Sequence, residues 1–347
     1  MWVESFSLDL DSPLHTARGQ ITQRRGFLVG VDAEGVAGIG EATPLAGWTE
    51  SLDDCRDAVE AAEPTPSGAA PDSATTPAAA HAVELARLDR RGREQETPLA
   101  AMLHQEAFGV DAAPISQQVP VNATIGDGTV DATVTAAEEA IAGGSECLKL
   151  KVGTRSLDAD IERVRAVREA VGDEIALRVD ANGAWAVPTA EQAIDAFATL
   201  DVAYVEQPLA ADDLDSHREL RGRGVDIALD ESLASTSVSA VLDADAADVV
   251  ILKPMALGGP LQATQAAAAA REAGVDPVVT TTIDAVIART AAVHVAAAIP
   301  AVDPCGLATG SLLAADLAAD PVTLGSGTAS VPTGGGLCGD GFSSVRR

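Results

Sequence analysis

The chain has 347 residues, 47% of them apolar, which allows one large or two modest domains with a sizeable core. Its net charge of −29, from 52 acidic and 23 basic residues, disfavours nucleic acid and anionic membranes as partners. That self-repulsion calls for screening, as in proteins adapted to high salt. Cys55, Cys147, Cys305 and Cys338 have no paired spacing, fit neither a zinc site nor a disulfide framework, and are expected as reduced thiols. Met1-Trp2-Val3-Glu4-Ser5 lacks a basic stretch followed by an apolar run, so a cytoplasmic protein without a signal peptide or membrane span is expected.

Residues 1–60 predict strands followed by a helix. Gly26–Val31 and Gly35–Gly40 alternate as a hairpin around Asp32-Ala33-Glu34-Gly35. Ser51 predicts the N-cap of a helix with Asp53 and Asp54 in its first turn. Residues 63–77, rich in Pro, Ser, Thr and Ala, predict a mobile surface loop away from the barrel. Helical periodicity resumes from Ala78 to Leu103, with His81, Glu84 and Asp89 on its polar face. From about Val119, strand signals at 121–124, 147–151, 175–180, 202–206, 226–230, 248–253, 276–281 and 301–306 alternate with helical stretches. Those helices span 131–143, 157–171, 188–199, 213–222, 236–242, 259–273 and 284–298. Eight strands alternating with helices predict an α/β fold of the parallel barrel type. An open doubly wound sheet is the alternative, but no Gly-x-Gly-x-x-Gly turn follows the first strand. Gly334-Gly335-Gly336 predicts a flexible turn, and His294 and Trp185 are expected to pack rather than bind.

Lysine is nearly absent. Against twenty arginines the chain keeps three lysines: Lys149 and Lys151 in Leu148–Gly153, and Lys253 in Ile251–Pro254. Each lies at the end of an apolar strand-like run. Arginine serves as a surface cation but cannot shed a proton near neutral pH, so the retained lysines are expected to do chemistry. Lys151, Asp180, Glu206, Asp230 and Lys253 follow one another at spacings of 29, 26, 24 and 23 residues, the period of a βα unit. All five therefore fall at the carboxyl ends of successive strands, the face on which barrel enzymes build their sites. Lys149 and Lys151, two apart, share one strand face. Like charge and partial burial lower such pKa values, and a lysine tuned to about 7–8 is an effective general base. Two carboxylates about 4 Å apart repel by about 4 kcal/mol at an effective dielectric of about 20, so Asp180, Glu206 and Asp230 together need a cation. Oxygen ligands without His or Cys suit Mg²⁺ or Mn²⁺. Taken singly, each of these residues also suits an ion pair at a strand end.

The set Lys149-x-Lys151, Asp180-Ala181-Asn182, Glu206-Gln207-Pro208, Asp230-Glu231-Ser232 and Lys253-Pro254 resembles the enolase superfamily, in its Lys-x-Lys, muconate-lactonizing-enzyme-like branch. The resemblance implies a modified TIM-type (β/α)₇β barrel over residues 117–314. It also implies an α+β capping domain over residues 1–116, on which a tail, 315–347, packs. It makes Asp180, Glu206 and Asp230 the Mg²⁺ ligands, Lys151 the base that removes a proton beside the substrate carboxylate, and Lys253 the group that stabilises charge or acts as second acid/base. Lys149 would pair with the substrate carboxylate and depress the pKa of Lys151, with Asn182 and Glu231 in support.

Gly40-Glu41-Ala42-Thr43-Pro44-Leu45-Ala46-Gly47-Trp48 and Thr280–Ala285 are similar to capping-domain and seventh-strand segments of o-succinylbenzoate synthases, with Ala46 where those have proline. That likeness implies a lyase converting 2-succinyl-6-hydroxy-2,4-cyclohexadiene-1-carboxylate to 2-succinylbenzoate through an enediolate, with loss of water, in menaquinone biosynthesis. Thr281 and Thr282 would contact the succinyl tail, and residues 15–25, with His15, would close over the substrate. The motif set equally admits an isomerase: an N-acylamino acid racemase, a dipeptide epimerase or a muconate cycloisomerase. Asp303-Pro304-Cys305 lacks the Asp-x-Asp pair usual in dipeptide epimerases.

Overall fold

The computed structural model describes residues 1–16, 19–63, 68–109 and 115–346; the side chain of His15 lies outside the described part. Three antiparallel strands open the chain in the order β1 (Trp2–Thr16), β2 (Gly19–Ala33) and β3 (Val36–Ala42). The predicted hairpin is β2–β3. Its turn residues Glu34 and Gly35 both have positive φ, 57° and 80°, which suits the right-handed twist of the strands it joins. β1 alternates polar and apolar residues from Ser5 to Asp11, with Phe6, Leu8 and Leu10 less exposed than the residues between them. Residues 15–25, read from sequence as a loop, include the end of β1 and the start of β2.

α1 (Leu52–Ala61) starts where expected, with the Ser51 hydroxyl accepting from the Asp54 N–H. The stretch predicted as one helix is two, α2 (Pro77–Glu94) and α3 (Leu99–Phe108), because Pro98 cannot continue the first and suits the start of the second. α2 lies hard against the sheet: a Cβ at Gly40 would fall 1.9 Å from the Ala82 carbonyl. Its predicted polar face is turned inward. His81 and Asp89 are fully buried: the His81 Nδ1–Glu41 carbonyl contact is 2.8 Å, while its Nε2 is buried without a hydrogen-bond partner among the described residues. Asp89 accepts from the N–H groups of Ile39 and Leu337, both at 2.9 Å, and from Arg346. Residues 68–77 do not lie wholly apart from the parallel-sheet region. Arg87 donates to the Gly68 and Ala69 carbonyls, and Ser73 packs against Gly258, close enough to exclude a Cβ there.

After β4 (Gln118–Pro120) comes a seven-stranded parallel sheet: β5 (Ala123–Ile125), β6 (Cys147–Lys151), β7 (Ala176–Asp180), β8 (Val202–Glu206), β9 (Asp226–Leu229), β10 (Val249–Leu252) and β11 (Asp276–Val279). The strands neighbour one another in chain order. Between them run α4 (Val130–Ala142), α5 (Leu157–Val171), α6 (Val187–Ala198), α7 (Leu214–Leu220), α8 (Val238–Asp243) and α9 (Pro260–Glu272), with α10 (Val286–Ala298) after β11. The fold is thus mixed α/β around a curled parallel sheet. The expected strand at 301–306 is reduced to two parallel bridges, Cys305 with Val121 and Gly306 with Thr280. Pro300 and Pro304 withhold ladder donors there, yet the bridges still link the two ends of the sheet.

β12 (Leu324–Gly325) pairs with β13 (Thr328–Ser330), which pairs in turn with β4. The three-glycine segment is anchored rather than loose, since the Leu99 N–H donates to the Gly336 carbonyl at 2.8 Å. His294 packs as expected, between the Ala100 N–H and the Leu337 carbonyl, and burial pushes its pKa down to about 4. Trp185 packs 6.3 Å from Phe197. Among the described residues no helix is long and apolar enough to cross a membrane.

Candidate active site

Strand register brings the predicted residues to one level. Lys151 pairs with Asp180 across β6–β7, and Asp180 with Glu206 across β7–β8. Glu206 pairs in turn with Ala228, so Asp230 lies two residues beyond, directly after β9. Lys253 follows β10, whose Leu252 is level with Val279 of β11. The backbone at this rim is tense: Asn182, Gln207 and Ile283, following β7, β8 and β11, have φ of 45°, 42° and 62°. Such conformations cost about 1–3 kcal/mol each and gather at functional sites.

Amines and carboxylates interlock across the rim. Lys149 Nζ donates to both Glu206 oxygens at 3.0 Å and lies 3.4 Å from Asp180. Lys151 Nζ is 2.6 Å from Asp180 Oδ2 and 2.9 Å from Asn182 Oδ1. Lys253 pairs with Asp230, and its ammonium lies 3.6 Å from the centroid of the Trp48 ring, a cation–π contact. Asn182 donates to Glu231 Oε1 at 2.8 Å. Lys151 retains 34% of its side-chain exposure, against 14% for Lys149 and 9% for Lys253. It is the amine most open to an incoming molecule.

Burial pushes the Glu206 carboxyl up to about 8, reinforced by Asp180 and opposed by Lys149. Burial also opposes charge on Asp180, but Lys149 and Lys151 outweigh it and hold Asp180 well below the usual carboxylate range. Sequence spacing suggested that the two strand-mates Lys149 and Lys151 lower each other's pKa. For Lys149 the outcome is the reverse: burial works against its charge, but Glu206 and Asp180 outweigh it and push the pKa well above the ordinary value.

Among the described residues no three acidic, His or Cys side chains are gathered tightly enough to cage an ion as they stand. Lys149 stands between Asp180 and Glu206, while Asp230 is occupied by Lys253. The donor chemistry nevertheless fits a hard divalent cation: carboxylates and an amide carbonyl, no thiol or imidazole. Glu231 Oε2, buried without a hydrogen-bond partner among the described residues, faces the same crowded charge.

A second layer escaped the sequence reading. Gln207 Oε1 accepts from the N–H groups of Asp230 and Ser232 at 3.0 and 3.1 Å, fixing the turn that carries Asp230. Trp48 was legible only as part of the segment 40–48. Thr281 Oγ1 meets Thr309 Oγ1 at 2.9 Å, and the Thr282 hydroxyl donates to Asp284. Buried Arg24 and Glu41 approach the same segment from β2 and β3. A charged residue inside an apolar strand, as Glu41 in Gly38-Ile39-Gly40-Glu41-Ala42, is the one sequence signal for such a role; Arg24, between Gln23 and Arg25, carries none.

The chain belongs to the enolase C-terminal domain-like family, which matches residues 132–339. It is 40% identical over 215 residues to an o-succinylbenzoate synthase of Thermobifida fusca, a match spanning 60% of this chain and 65% of that protein. It is 31% identical over 313 residues to a hydrophobic dipeptide epimerase of Enterococcus faecalis, covering 85% and 86%. A solved dipeptide epimerase from Enterococcus faecalis, complexed with Mg and the dipeptide L-Leu-L-Tyr, superposes with a TM-score of 0.81. That structure is 27% identical, with 97% of each chain covered.

Proposed function

We propose that this chain is a Mg²⁺-dependent carbon–oxygen lyase, an o-succinylbenzoate synthase. It would convert 2-succinyl-6-hydroxy-2,4-cyclohexadiene-1-carboxylate to 2-succinylbenzoate and water. In this reading the curled sheet with residues 305–306 is a (β/α)₇β barrel, capped by residues 1–116 and the tail. The observation that carries the proposal is the rim itself: an accessible amine, Lys151, and a shielded one, Lys253, at strands β6 and β10, with Asp180, Glu206 and Asp230 between them.

Lys151 takes the proton from the carbon beside the substrate carboxylate. The electron pair left behind expels the hydroxyl, and Lys151 returns the proton to it as water leaves. Lys151 must leave Asp180 to do this, and its exposure permits the movement. Lys253 stays between Trp48 and Asp230 and stabilises charge on the other face of the ring, while Lys149 pairs with the substrate carboxylate. Asp180, Glu206 and Asp230 would hold the ion, with Asn182 and Glu231 steadying them. When bound, Mg²⁺ supplies the positive charge that lets a carbon beside a carboxylate give up its proton; Mn²⁺ suits the same ligands.

Two observations favour the lyase over an isomerase of the same branch: the higher identity to the Thermobifida synthase, and Cys305. Cys305 is buried, with its thiol donating to the Asp303 carbonyl at 3.2 Å, and so offers no carboxylate to a dipeptide ammonium. Incubation with the cyclohexadiene carboxylate beside an N-succinylamino acid tests the choice. Faster dehydration of the first is expected; faster racemisation of the second would replace the lyase by a racemase.

Glu206→Gln tests the ion-holding group without turnover. Mg²⁺ should raise the melting temperature of the wild type in a dose-dependent way, since a ligand of the native state stabilises it by mass action. The variant should lose most of that rise. An unchanged Mg²⁺ response would remove Glu206 from the ligand set.

A further inference from the structure

Thr281–Asp284 follows β11 at the rim, beside Lys253, in a shape that its own residues do not favour. Ile283 has φ of 62°, a left-handed conformation that β-branched side chains rarely adopt. Two bonds close the segment on itself: the Ile283 N–H donates to Thr281 Oγ1 at 3.3 Å, and the Thr282 hydroxyl donates to Asp284. The Ile283 carbonyl, however, is held from another part of the chain. Arg24, on β2 and 3% exposed, donates from Nε to that carbonyl at 3.1 Å. Its two other nitrogens donate to the carbonyls of Pro44 at 3.1 Å and Thr43 at 2.6 Å. One rigid fork thus ties the rim segment to the segment that carries Trp48, a geometry a lysine ammonium cannot reproduce. Asp284 and Glu41 supply the counter-charge. Glu41 in turn accepts from the Ala285 and Ala288 N–H groups at 2.8 and 2.9 Å, fixing the helix that leaves the segment.

We infer that Arg24 is a positioning residue of the active site, acting through the Ile283 carbonyl to hold Thr281 and Thr282 at the rim beside Lys253. This role presupposes the proposed site at the strand ends but not the identity of the carboxylate turned over there. A segment released from Arg24 weakens substrate binding equally in ground and transition states, which raises KM and spares kcat. Glycine enters the left-handed region at no steric cost, so a chain with Gly at position 283 needs Arg24 less.

The test is a double-mutant cycle of Arg24→Met and Ile283→Gly, with substrate kinetics and amide hydrogen exchange. Arg24→Met should raise KM by about tenfold with kcat within about twofold of the wild type, measured with whichever of the two carboxylates the wild type accepts. In the Ile283→Gly background the same substitution should raise KM by less than about threefold. Exchange of the 281–285 amides should quicken by about tenfold in Arg24→Met, with the sheet strands unchanged. Equal KM effects in the two backgrounds, a fall in kcat at constant KM, or unaltered exchange at 281–285 would each overturn the inference. If Arg24→Met does not fold, Arg24→Lys carries the same cycle: a smaller KM rise, again suppressed by Ile283→Gly, is expected. Exchange needs no substrate, so a wrong choice of reaction leaves that arm standing and is seen separately in the wild type.

Discussion

Lys151→Ala should lose about 10²–10⁴-fold in kcat, the range typical for removing a positioned acid–base group, with the fold intact by circular dichroism. Lys151→Arg should be nearly as damaged, because a guanidinium keeps the charge but cannot accept a proton near neutral pH. The matching change at Lys253 separates the candidate reactions. Lys253 is clamped between Asp230 and the Trp48 ring, surroundings that hold a cation in place rather than cycle a proton. In a dehydration run by one base, Lys253→Arg should therefore retain more activity than Lys151→Arg. A racemase passes a proton from one face to the other and needs both amines to shed one, so the two arginine variants should fail alike. Rates and solvent deuterium incorporation measured on the three variants distinguish these outcomes. Near-normal turnover by Lys151→Arg would show that position 151 contributes charge and not proton transfer.

The rim was legible because the strand–helix unit repeats: a βα period of 23–29 residues delivers each strand end to one level, and a polar residue there stands out against an apolar strand. Lysine scarcity sharpened the signal. What spacing could not convey was pairing. Whether Lys149 answers to Lys151 or to Glu206 depends on side-chain reach across neighbouring strands, and the carboxylates prevail. The helix of residues 77–94 misled in a related way. His81 and Asp89 have the spacing of a solvated stripe, but each turns to backbone groups of β3 or the C-terminal tail, partners forty residues away or separated by most of the chain. The strand expected at 301–306 failed for a local reason, Pro304 within it and Pro300 just before it, although the bridges at Cys305 and Gly306 keep its place.

Arg346→Met should destabilise the protein by about 3 kcal/mol, the low end of the cost of breaking a buried ion pair by removing one partner. Asp89 has no exposure and meets Arg346 through three contacts of 2.9–3.1 Å. Burial raises the Asp89 pKa, with Arg346 opposing the rise, so loss of the guanidinium leaves a carboxylate with only the Ile39 and Leu337 N–H groups. The same cost falls on Asp89→Asn, which strands a guanidinium 3% exposed at its side chain. Joining the two substitutions removes both charges together, and neutral replacement of a buried pair is often close to neutral in stability. Arg346→Met/Asp89→Asn should therefore recover more than half of the loss, read as the midpoint of urea denaturation across the cycle. Additive losses would mean that Asp89 works chiefly through the backbone donors of β3 and the tail. In that case the tail is held by its main-chain contact at Leu99–Gly336, and the charge pair contributes little to the clasp.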